Sequence, residues 1–195
     1  MFNMLYMYCA SFLLGDGMKI DINKMMKDIG DLGYIVKAIV IEKETLDFEE
    51  RVKMNCFYCG KYNSNWKCPP KIPMIDYRKM LNEFENAAFI YTESRMDTAD
   101  FNTIRNNSSV YLHRAMLECE KWLYEHNHSM ALSFIGGSCK LCKNGCAPGQ
   151  CANPYQARTP IEALGINVVK SAGKYGIEIK FPPEEKLIRI GLLLW

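Results

Sequence analysis

The chain has 195 residues, 49% of them hydrophobic and 24% charged, and carries a formal net charge of +2 at pH 7, the profile of an ordinary globular protein. Its 24 basic and 22 acidic residues nearly cancel, which argues against the strongly basic face that a dedicated nucleic-acid binder uses to neutralise phosphates. A chain of this size buries about 70% of the surface its unfolded form exposes, so it needs neither disulfide nor metal as a substitute for a core.

Residues 1–14 (MFNMLYMYCASFLL) are apolar but begin without Lys or Arg, lack a clear small-residue cleavage site and fall short of the roughly 20 residues of a spanning helix. They read as neither signal peptide nor anchor. Met18 opens a typical amphipathic segment, so residues 1–17 are set apart as an N-terminal extension, with Met18 as an alternative start, and residues 18–195 as one metal-binding domain.

The periodicity then changes repeatedly. Residues 21–33 predict a helix stopped by Gly33, and the β-branched run 34–41 (YIVKAIVI) predicts a strand. Residues 46–52 predict one or two helical turns, 77–86 a helix, and 87–92 a strand. Between residues 100 and 126 the apolar positions Phe101, Ile104, Leu112, Ala115, Cys119 and Leu123 recur at three- and four-residue steps, predicting the longest helix, with a break at 106–109. Residues 130–135 (MALSFI) predict a strand running into Gly136 and Gly137. Thr159-Pro160-Ile161-Glu162 has the form of a capping box opening a helix, and a further short helix is expected after Gly165. Residues 186–195 (KLIRIGLLLW) predict a closing buried strand. The order implies an α/β or α+β single domain, with a mixed sheet of four to five strands, flanking helices and two cysteine-rich loops.

Seven of the nine cysteines fall in those loops. Cys139, Cys142, Cys146 and Cys151 form C-x2-C-x3-C-x4-C, a complete thiolate shell inside one Gly- and Pro-containing loop. Two centres compete for it: an iron–sulfur cluster, whose irons each take one thiolate, and a tetrahedral zinc. No histidine lies beyond residue 128, whereas a short zinc knuckle normally takes one, so the reading favours a [4Fe-4S] cluster, with zinc as the alternative.

Cys56, Cys59 and Cys68 make C-x2-C-x8-C-P-P, one sulfur short of a closed site. Either a fourth ligand comes from elsewhere or one position stays open for a small ligand, as catalytic metal sites keep one open; sharing a zinc site with the second set is the blander reading. A second cluster is expected if this set holds its own. Lys140, Lys143 and above all Arg158 are candidates to offset thiolate charge, although loop lysines are often simply solvated. Tyr58, Tyr62 and Trp66 suit packing around the first site. Cys119 sits at core spacing and reads as a buried bystander. His113, His126 and His128 are the only histidines and show no ligand spacing to any cysteine.

The set C-x2-C, Tyr62, Trp66 and Cys-Pro-Pro, followed by Gly-Gly-Ser-Cys-Lys-Leu-Cys, two more cysteines, Arg158 and Thr-Pro-Ile-Glu-Ala-Leu-Gly-Ile-Asn-Val, resembles a family of cysteine-rich predicted metal-binding proteins of bacteria and archaea. The resemblance runs from about Val36 onward. It implies metal or iron–sulfur binding and carries no substrate. The radical-SAM run C-x3-C-x2-C is absent, as are a P-loop, G-x-G-x-x-G after a strand, H-E-x-x-H and G-x-S-x-G.

Two functional classes follow. One is a cytoplasmic redox module that passes electrons to a partner protein or acts on a small molecule at an open iron. The other is a zinc-stabilised interaction protein without redox activity. Whether the chain is an enzyme stays open between them, and neither nucleic acid nor membrane is an expected partner.

Overall fold

The computed structural model describes residues 20–195; the extension 1–17, the Met18 start and Cys9 lie outside the described residues. The first helix, α1 (Ile22–Asp31), is capped by the Asp21 carboxylate, which accepts from the amides of Asn23 and Lys24. Strand β1 (Lys37–Ile41) follows, then α2 (Glu50–Tyr58), α3 (Tyr77–Leu81), β2 (Ala87–Arg95) and α4 (Phe101–Glu125). Short strand β3 (Leu132–Phe134), a 3-10 turn (Ile161–Leu164), α5 (Val168–Gly173) and β4 (Lys186–Leu194) complete the order.

One four-stranded sheet runs β1-β2-β4-β3. Among the described residues every ladder is antiparallel, and the one parallel pairing is an isolated bridge between Ile135 and Pro160. Among these residues there are four of the expected four to five strands, and their ladders are all antiparallel where the sequence implies a mixed sheet, which selects α+β within the expected fold class. The long ladder pairs Ala87 with Leu194 through to Arg95 with Lys186.

Strand alternation sorts side chains to two faces. Phe89, Ile190, Leu192 and Leu194 pack with Ile161, Leu164 and Val168. Ala88, Ile90 and Leu193 pack on the opposite face with Met25 and Ile29 of α1 and Leu112, Met116 and Leu123 of α4. Burying a side chain such as Phe89, fully enclosed here, contributes about 1.5–3 kcal/mol. Gly191 lets α4 and the sheet approach closely, since a Cβ there would stand 2.9 Å from the Met116 thioether.

Three local expectations change. The long helix has no break at 106–109. Ser108 is buried and bonds the Arg105 carbonyl at 3.3 Å, while accepting from Arg189 Nε at 3.3 Å, and Ser109 is buried beside it, so the two serines turn inward without unwinding the helix, while Asn106 and Asn107 are exposed. The helical turns expected at 46–52 lie later, in α2, and carry Cys56 themselves. No capping box forms at Thr159: the 3-10 turn starts from Pro160 without a side-chain cap, because Glu162 turns to the Gly137 amide, accepting from it at 3.2 Å.

Candidate metal centre

The first cysteine set grows out of a helix end. Cys56 lies in the last turn of α2, and Cys59 caps it, its amide donating to the Cys56 carbonyl at 3.4 Å. Gly60 then adopts φ +71°, the left-handed conformation that ends helices and that a residue without Cβ tolerates. A run of turns brings Cys68 back beneath the helix end, its amide held by the Asn65 carbonyl at 3.1 Å. Cys59 is exposed, Cys56 partly buried and Cys68 buried. All three line one cavity of 840 Å³ together with Arg105, Lys61 and Glu162.

The second set hangs from a pinched loop. Ile135 donates its amide to the Thr159 carbonyl at 3.0 Å and accepts from the Ile161 amide at 2.9 Å, so the chain between residues 136 and 158 leaves and returns at one place. Cys139, Cys142, Cys146 and Cys151 are all partly buried and line a second cavity of 550 Å³. Gly145, at φ +82°, turns the chain so that its amide meets the Cys142 carbonyl at 3.1 Å. Asn153 Nδ2 donates to Cys142 Sγ at 3.1 Å, the kind of outer hydrogen bond that orients a sulfur ligand and tunes its centre.

The two loops are joined. Asn65 Nδ2 donates to the Cys139 carbonyl at 3.0 Å, and Trp66 Nε1 donates to the Ala147 carbonyl at 2.9 Å. Lys61 and Ser138 line both cavities. Trp66 therefore works as a clamp between loops, with the Lys71 ammonium 4.0 Å over its ring, while Tyr62 packs on Phe57 at 4.8 Å between ring centres. Tyr58 is largely exposed.

Burial dominates the electrostatics of three thiols, Cys56, Cys68 and Cys139. It pushes Cys56 up to about 11, with the charges of Glu162 and Cys59 adding to the rise. It pushes Cys68 up to about 12, with Cys59, Cys56, Cys139 and Cys146 adding in turn. Cys139 is likewise raised, by burial and then by the other three cysteines of its loop, against a lowering bond from the Leu141 amide. Cys68 thus feels both sets.

The cations at this junction are mostly not those expected. Arg158 is bound to Glu120 by a two-pronged ion pair, Nε to Oε1 at 2.7 Å and Nη2 to Oε2, so its charge is spent on α4. Lys140 does stand at the cysteines. Burial brings it down to about 8, helped by the charges of Arg105, Arg189 and Lys61. Those three come from α4, β4 and the turn after α2, and only the folded chain brings them together. Lys143 is exposed.

The histidines stay away from both cavities. His113 is buried and bonds the Gln156 carbonyl at 2.8 Å, and His126 stacks on Trp122 at 3.6 Å between ring centres. Cys119 is fully buried in the helix-side core.

Among the described residues, no three His, Cys, Asp or Glu side chains close on a common point as the shell of an ion. Seven thiols nevertheless line two joined cavities, and burial raises Cys56, Cys68 and Cys139, an obstacle to their ionisation. A bound cation removes that obstacle, because it favours the thiolate that metal ligation requires. Closing a shell here calls for side-chain rotation in loops already tied at their bases. The all-sulfur donor set fits zinc or iron–sulfur chemistry and does not fit magnesium or calcium.

No helix among the described residues is long and apolar enough to cross a membrane. A family model described as "Predicted metal-binding protein (DUF2284)" matches residues 39–195. No curated protein and no solved structure matches.

Proposed function

The chain belongs to this family of predicted metal-binding proteins, and from that premise we propose that it is a cytoplasmic iron–sulfur protein serving as an electron-transfer or redox accessory module. In this reading Cys139, Cys142, Cys146 and Cys151 hold a [4Fe-4S] cluster, and Cys56, Cys59 and Cys68 hold a second centre with one open position. The observation that supports it is adjacency: Cys68 lies close enough to Cys139 and Cys146 for their charges to bear on it, and the two cavities share Lys61 and Ser138. Neighbouring centres suit the passage of electrons from one to the other.

When bound, such a cluster supplies one-electron exchange at a potential set by charge, hydrogen bonds and exposure around its sulfurs. The chain's own residues have definable parts in setting it. Asn153 holds the Cys142 sulfur by hydrogen bond. Lys140 and Lys61 place positive charge beside the thiolates, which favours the more negative, reduced state. Asn65 and Trp66 fix the two loops to each other. The exposed Cys59 side gives a redox partner, protein or small molecule, its approach.

The test is a spectroscopic redox titration of protein purified without oxygen. Broad visible absorbance that bleaches on reduction, with a paramagnetic signal in the reduced state, is expected. A colourless protein that carries zinc and no sulfide would replace this reading with that of a zinc-stabilised interaction protein.

A further inference from the structure

Four cations from four separate parts of the chain meet where the two cysteine cavities join. Arg105 and Lys61 line the 840 Å³ cavity, and Lys61 and Lys140 line its neighbour. Arg189 stands behind Arg105, its Nη2 donating to the Arg105 carbonyl at 3.1 Å, and its Nη1 lies 3.9 Å from where a Cβ on Gly137 would be. Among the described residues none of the four forms a salt bridge with a carboxylate.

Elsewhere among the described residues cations divide: Lys27, Lys79 and Arg114 stand singly in the open, and others find carboxylates. Arg158 pairs with Glu120, Lys170 with Asp47, and Lys186 with Glu93. Glu162 is the one carboxylate in the same cavity wall; its charge bears on Arg189, but the Gly137 amide engages it and burial raises it towards the neutral form. Gathering four like charges around one buried carboxylate leaves a positive excess that costs free energy, and the usual compensation is an anion. Thiolate charge accounts for Lys140, which follows Cys139 directly. It accounts less well for Arg105, on α4, whose cavity also carries an apolar wall of Val52, Pro160, Val168 and Phe181.

We propose that the cavity beside Cys56, Cys59 and Cys68 binds a small organic oxyanion, carboxylate- or phosphate-bearing, with its charged group on Arg105 and Lys61 and its apolar body against Val168 and Phe181. A cavity of 840 Å³ lies in the range used for small molecules, in which an apolar lining and a few polar groups divide the work of binding and orientation. The guanidinium of Arg105 offers a planar fork suited to either oxyanion. The inference rests on the metal reading only for what the cysteines do to the bound molecule. It deepens that reading by naming the substrate class for the open position.

The experiment is calorimetric titration of the protein as purified with benzoate, phenyl phosphate and inorganic phosphate, alongside the variants Arg105→Gln and Lys61→Gln, with metal content measured on every sample. Saturable binding of benzoate or phenyl phosphate is expected, tighter than that of inorganic phosphate and weakened about tenfold or more by Arg105→Gln. The preferred member of the pair separates a carboxylate from a phosphate ligand. Lys61→Gln changes an exposed turn residue and serves should Arg105→Gln fail to fold. Absence of saturable binding by every probe, or affinities unchanged in both variants, would overturn the proposal. Loss of metal from the variants without anion binding to the parent would overturn it too, leaving the cations as counter-charge for thiolates alone. Anion binding by a protein without metal would sustain this site while removing the iron–sulfur reading.

Discussion

Asn65 donates its side-chain amide to the backbone carbonyl of Cys139 at 3.0 Å, across 74 positions of sequence. The same side chain accepts from the Lys67 amide at 2.9 Å, and the residue is buried. One asparagine thereby sets the shape of the first cysteine loop and its attachment to the second.

Asn65→Ala is therefore expected to lower the free energy of unfolding by about 1–3 kcal/mol, because it leaves a buried amide and a carbonyl without partners. Metal content of the purified variant should fall with it. Denaturant unfolding and metal analysis of one preparation check both; an unchanged midpoint would show that the loops hold together without this bond.

The division of cysteines into ligands and bystander gives a sharper contrast. Cys142→Ser should lose the centre of the second loop, since Cys142 lies in that cavity and carries the Asn153 hydrogen bond. Cys119→Ser should keep full metal content while losing about 1–3 kcal/mol of stability to a hydroxyl placed in an apolar core. Equal loss of metal in both variants would contradict the assignment.

Much of this was legible in the sequence, for reasons that differ by element. Helix α1, β1 and the closing strand follow from local signals, a helical pattern stopped by Gly33 and runs of β-branched and aliphatic residues. The two cysteine sets announce themselves by spacing. What spacing cannot give is long-range pairing. Arg158 looked free to serve a cluster, but Glu120 on α4 captures it. Lys61, Arg105 and Arg189 carry no local signal at all and meet only because α4 crosses the sheet beside β4. The capping-box pattern at Thr159 failed because Glu162 found a better-placed donor in Gly137.

Gly136 delivers β3 into the second loop, and a Cβ there would run into the Ile190 carbonyl oxygen of β4. Gly136→Ala should cost about 1–3 kcal/mol through forced backbone displacement. Gly30→Ala, within α1 and with nothing near the added methyl, should stabilise by about 0.5–1 kcal/mol. Thermal unfolding of the pair checks the opposite signs.

Cys56, Cys68 and Cys119 all contribute to the alkaline pH dependence of the metal-free protein, and the share of Cys119 can be isolated. Burial raises its thiol from 9.0 to about 12, so between those values the folded state holds a proton that the unfolded state releases. Stability from this group is complete below pH 9 and declines as pH rises toward 12. The difference in unfolding free energy between the parent and Cys119→Ala, measured by denaturant across that range, should shrink with rising pH. A constant difference would mean that the thiol does not titrate as its burial dictates.

The central claim is that the second loop holds an iron–sulfur centre, and the most direct test is quantitative iron, acid-labile sulfide and zinc analysis of protein purified without oxygen. The account predicts about four irons and four sulfides per chain, or about eight of each if Cys56, Cys59 and Cys68 carry a cluster of their own. One or two zincs per chain with no sulfide would contradict it.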